Sequence, residues 1–75
     1  MTYLDVAYRY RAMPTEGTMR AVNAIREVYG IQGIEFNDRD RIVSVRFDAS
    51  RLTKQSVVSL LRRAGVDIEE RLALA

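Results

Sequence analysis

The feature that most limits how this chain can fold is a change of hydrophobic period on either side of Pro14. Leu4, Val6, Tyr8 and Tyr10 alternate with Asp5, Ala7, Arg9 and Arg11, the pattern of a half-buried strand. The first set is expected to face a core and the second solvent. Pro14 ends that strand. From Thr18 onward Ala21, Val22, Ile25 and Val28 fall on one helical stripe, with Arg20, Asn23, Arg26 and Glu27 mostly opposite. Gly30 stands where a C-cap belongs, so the spacing predicts a helix over 19–29. A strand running into an amphipathic helix must bury both apolar faces against further elements.

The rest of the chain supplies them. Ile31–Phe36 and Ile42–Phe47 read as strands around the polar turn Asn37-Asp38-Arg39-Asp40, a hairpin with Ile34, Phe36, Val43, Val45 and Phe47 inward. After Asp48-Ala49-Ser50-Arg51, Thr53 is placed to cap a second helix. Val57, Leu60, Leu61 and Ala64 form its apolar stripe, and Gly65 closes it. The tail, 66–75, is expected to be a fourth strand in which Ile68, Leu72 and Leu74 share a parity. Glu70 shares it too, and a bulge, an edge position or a helical turn over Glu69–Leu74 would each resolve that conflict. The order βαββαβ predicts one α+β domain over 1–75. It is a ferredoxin-like sandwich, a four-stranded antiparallel sheet with two helices on one face.

The junction of the first strand and helix reads Met13-Pro14-Thr15-Glu16-Gly17-Thr18-Met19. Thr15 or Thr18 can cap the first N–H groups of the helix, and Glu16 in its first turn complements the dipole. Gly17 permits close approach of the backbone, and a helix start attracts anions. No Lys or Arg lies in the loop, however, and Arg20 is the nearest, so capping is the preferred reading. Met19 is expected at the core or its rim, as flexible Met fills gaps.

That loop, together with Val22 and Ile25, Gly30-Ile31, Val43-x-Val45-x-Phe47-Asp48 and Leu61-x-x-Ala64-Gly65, resembles the heavy-metal-associated, copper-chaperone-like domains over Leu4 to Ile68. In that family the loop reads Met-x-Cys-x-x-Cys. Two thiolates at a helix start, their pKa lowered by the dipole, select soft Cu(I) or Zn(II). Here both cysteine positions are threonine, Thr15 and Thr18. The resemblance implies that Met13 tucks beneath the loop as packing. It also places Val66 where such domains often carry a Lys or aromatic near the metal. Members are soluble metal chaperones or modules of metal-pumping P-type ATPases, and they work by docking onto another copy of the fold. The expectation is a retained scaffold with a degenerate site, no metal and no other cofactor. Its partner would be another protein domain, a homologous metal-binding domain or a P-type ATPase, met through Met13 to Met19.

Composition narrows the chemistry further. With no cysteine and no histidine among 75 residues there is no disulfide, no thiolate site and no imidazole base. Ser44, Ser50, Ser56 and Ser59 therefore have no histidine to activate them, and no carboxylate pair converges by spacing, so an enzyme is not expected. No apolar run approaches the ~18 residues of a membrane span, and the start has no basic n-region, so a cytoplasmic location without membrane attachment is expected. Two other readings share the topology. ACT domains, which sense amino acids, also carry a Pro/Gly loop before the first helix, loosely matched by Pro14 and Gly17. RNA-binding sheets stack bases on exposed aromatics. Arg9, Arg11, Ile42, Ser44, Arg46 and Arg71 have the open-face parity here, but Tyr8, Tyr10 and Phe47 have core parity, which leaves Tyr3. Nucleic acid is not expected as a partner.

Overall fold

The computed structural model describes residues 2–72, with side chains as far as Glu69. Six elements follow in the expected order: β1 (Tyr3–Tyr10), α1 (Glu16–Ile25), β2 (Ile31–Asn37), β3 (Ile42–Asp48), α2 (Lys54–Ala64) and β4 (Ile68–Leu72). The four strands form one antiparallel sheet in the order β2-β3-β1-β4, with both helices on one face. This is the ferredoxin-like arrangement.

The alternation in β1 works as anticipated over most of its length. Val6, Tyr8 and Tyr10 are buried with Val43, Val45 and Phe47 of β3, Ile34 of β2, and Val22, Ile25, Val57 and Leu61 of the helices. Each fully buried branched side chain contributes about 1.5–3 kcal/mol, and this single layer holds sheet and helices together. Leu4 departs from expectation. Its parity is right, since it pairs with buried Phe47, yet it is 38% exposed because the helical layer leaves the first residues of β1 uncovered. Ala7 departs in the other direction. It lies on the open face opposite Ser44 and Leu72, and its small side chain is buried between the flanking strands.

α1 is shorter than its hydrophobic stripe. It ends at Ile25, with Arg26 as C-cap, rather than continuing to Tyr29. The chain then tightens into i→i−3 bonds, Glu27 to Ala24 and Val28 to Ile25, so Val28 reaches the core rim from a turn. Gly30 has φ +105° in this connection and not at the helix end. A Cβ there would lie 3.0 Å from Leu52, and its carbonyl accepts from the Asp48 N–H.

β4 forms, but the face parity expected of its residues does not hold beyond Ile68: an irregularity in the ladder sets Arg71 in register with core-facing Tyr8 and Leu72 in register with Ala7, the reverse of the expectation. Arg9 pairs with Glu70 and Tyr10 with Ile68, so Glu69 is the extra residue of a bulge. Leu74 lies outside the described residues.

Candidate functional site

The loop between β1 and α1 sits at one end of the sheet, against two other turns. Arg11 donates its N–H to the Asp67 carbonyl in the α2–β4 turn and approaches the Asp67 carboxylate at 3.8 Å. On the other side Tyr10 donates its N–H to the Arg41 carbonyl, and the Arg41 guanidinium donates to the Arg11 carbonyl at 2.9 Å. The Tyr10 hydroxyl donates to Asp38 at 2.9 Å across the hairpin tip. Burial first, and then this bond and the Asp38 charge, push the phenol up to about 12. The exit of β1 is therefore pinned on both flanks, which fixes where the following loop emerges.

Thr15 is the N-cap of α1. Its backbone is extended, and its Oγ1 accepts from the Thr18 N–H at 3.1 Å. The two hydroxyl oxygens are 3.0 Å apart and share a hydrogen bond. Thr15 and Thr18, which stand where the resemblance expects cysteines, thus come together at the tip joining strand and helix. Thr15 is exposed, whereas Thr18 is buried because it shares the inner stripe of α1 with Val22 and Ile25. What lies over Thr18 is Gly65, the left-handed C-cap of α2 at φ +102°. A Cβ on Gly65 would stand 2.8 Å from the Thr18 Oγ1. Only glycine permits both that conformation and that approach.

The remaining loop residues are outward. Glu16 makes an exposed i,i+4 ion pair with Arg20 at 3.2 Å, Gly17 is exposed, and Pro14 and Met19 are half-buried. Met13 corrects an expectation. It does not tuck beneath the loop but is 48% exposed. Val66 is a core residue here.

Two neutral hydroxyls that satisfy each other and one backbone N–H are hard, weak donors, and they do not fit a thiophilic ion. Among the described residues no three His, Cys, Asp or Glu side chains are grouped so as to hold a metal. The same hydroxyl arrangement recurs at α2, where no metal loop is in question. Thr53 Oγ1 accepts from the Ser56 N–H at 3.1 Å and lies 3.0 Å from the Ser56 hydroxyl.

Sequence reasoning missed the Gly65–Thr18 contact, because only the capping role of Gly65 is written locally. It missed Tyr29 as well. The ring is 74% exposed, beyond the end of α1, with the Arg51 guanidinium 4.1 Å from its centroid. It also missed Asp48, a buried carboxylate held below its ordinary range by the Ser50 hydroxyl, then the Ser50 N–H and the nearby Arg51 charge. No described helix is long and apolar enough to cross a membrane.

No family model matches the chain, and no curated protein matches it. Solved structures do. Oxidized MerP from Ralstonia metallidurans CH34 is similar with a TM-score of 0.72 and 18% identity, over 92% of this chain and 97% of that one. The yeast copper transporter domain Ccc2A, solved in apo and Cu(I)-loaded states, is similar with a TM-score of 0.71 and 18% identity, over 95% of this chain and 97% of that one. At such identities the likeness is one of fold, and it spans nearly the whole of all three chains.

Proposed function

We propose that this chain is a heavy-metal-associated-like domain that has lost its metal ligands and serves, without catalysis, as a protein-docking module in a metal-handling system. The observation that carries this reading is the position of the Thr15–Thr18 hydroxyl pair at the β1–α1 tip of a fold shared with MerP and Ccc2A. The pair closes the helix start with its own hydrogen bonds, so the tip offers shape and apolar surface instead of an ion site. Met13, Pro14 and Met19 supply that surface, and half-exposed Met adapts to a partner well. Glu16 and Arg20 give it a polar rim. The natural partner is another protein domain, a homologous metal-binding domain or the P-type ATPase that contains one. The test is an NMR titration of the labelled chain with a Cu(I)-loaded heavy-metal-associated domain. Shifts centred on Met13 to Met19, abolished by Met13→Asp, are expected. Binding that leaves those residues unmoved, or no binding at all, contradicts the docking reading.

A further inference from the structure

α2 departs at its start from a rule that α1 obeys. It carries no acid, and its first turn, at the positive end of the dipole, has Lys54 where a carboxylate is favoured, while Arg62 and Arg63 suit the negative end in its last turn. Lys54 is the only lysine in the chain. A cation set against the helix field with no carboxylate beside it costs stability locally, and such departures mark surfaces kept for another purpose.

That surface is a groove of about 570 Å³ between α2 and the start of β4. Its apolar floor is Val58 and buried Ile68, and Gln55 and Ser59 line the helix wall. Lys54 and Arg62 stand at the two ends, eight residues or about 12 Å apart along the helix. Arg11, Arg20, Arg46 and Arg51 each face a carboxylate, but among the described residues Lys54 and Arg62 make no ion pair. The one acid on the wall, Glu69, is the bulge residue of β4 and pairs with neither cation. β4 ends the sheet order, so its outer edge has no neighbouring strand among the described residues.

The spacing selects the occupant. A compact anion reaches one cation and leaves the other and the apolar floor unused. An extended chain advances about 3.3 Å per residue, so side chains i and i+4 on one face lie about 13 Å apart with i+2 between them. We propose that the α2–β4 groove binds an extended acidic peptide segment of a partner protein. Its two outer carboxylates meet Lys54 and Arg62, and an apolar side chain between them rests on Val58 and Ile68. Backbone pairing to the edge of β4 is the natural complement.

The probe is a capped five-residue peptide with glutamate at both ends, valine at the centre and serine between, added to the labelled full chain at low salt. The expected result is a saturable shift of α2 and Ile68 signals with the loop signals of Met13 to Met19 unmoved. Affinity should fall about tenfold for each of Lys54→Glu and Arg62→Glu, and similarly when both glutamates become glutamine. Met13→Asp, which disables the loop proposed above, should leave the peptide affinity unchanged, so the two surfaces fail independently. The proposal is overturned if the glutamine peptide binds as well, if the two reversals have no effect while circular dichroism shows the fold intact, or if inorganic phosphate or glutarate saturates the same signals at equal concentration.

Discussion

The two helices of this protein begin in nearly the same way and do different things. Thr15-Glu16-Gly17-Thr18 and Thr53-Lys54-Gln55-Ser56 each place a threonine cap on the N–H three residues on, at 3.1 Å, with the second hydroxyl 3.0 Å from the first. A Thr-x-x-Thr start is therefore ordinary capping chemistry, and the hydroxyl pair alone says nothing of metals. The difference lies in what surrounds each pair. At α1 the second hydroxyl is buried beneath Gly65 and an acid sits in the first turn; at α2 the second hydroxyl borders solvent and a lysine replaces the acid. One start is a packed joint between elements and the other is a free face.

Gly65→Ala breaks this comparison most severely. The new methyl meets Thr18 at 2.8 Å on a backbone with φ +102°, so unfolding in urea should show a loss of about 2–4 kcal/mol. Adding Thr18→Ala removes the obstructing oxygen and should recover part of that loss, a coupling no pairing of Thr53 with a distant residue will reproduce. Next in size are the caps themselves. Thr15→Ala and Thr53→Ala should each cost about 1 kcal/mol, and nearly equal values are the expected signature of shared capping chemistry.

How far such contrasts can be read without coordinates depends on whether the cause is local. The order of elements along the chain, the caps Thr53 and Gly65 and the parity of Val43, Val45 and Phe47 were legible, because period and punctuation are properties of short windows. The end of α1 was not, because Val28 extends the apolar stripe past the point where the chain tightens into a turn. Leu4 had the right parity, but whether a helix covers a strand's first residues depends on tertiary placement. Thr18 was legible as a cap candidate, while its burial under Gly65 joins residues far apart in sequence. Met13 was placed by resemblance, and its exposure depends on tertiary placement that no short window of sequence carries.

The flank of the joint gives a pH-dependent check. Tyr10→Phe removes the bond to Asp38 and should cost about 1 kcal/mol near neutrality. The folded phenol titrates near 12, above its ordinary 10, so the contribution is whole below pH 10 and is lost as pH rises toward 12. Denaturation midpoints should therefore fall across that window in the parent more steeply than in the Phe variant. The smallest effects concern the first-turn charges. Glu16→Gln should destabilise by about 0.3–0.5 kcal/mol through the exposed Arg20 pair and the dipole, whereas Lys54→Gln should be neutral or stabilising by a few tenths of a kcal/mol at about 25 °C. Opposite signs in thermal melts at low salt would sharpen the contrast; equal signs would blunt it.

The most direct measurement is a competitive titration with Cu(I) and with Zn(II), on the parent chain and on Thr15→Cys with Thr18→Cys. The hydroxyl pair at the β1–α1 tip should hold neither ion with sub-micromolar affinity, and the double variant should acquire such affinity with the fold retained. Sub-micromolar binding by the parent, or a folded double variant that still binds nothing, would contradict the account.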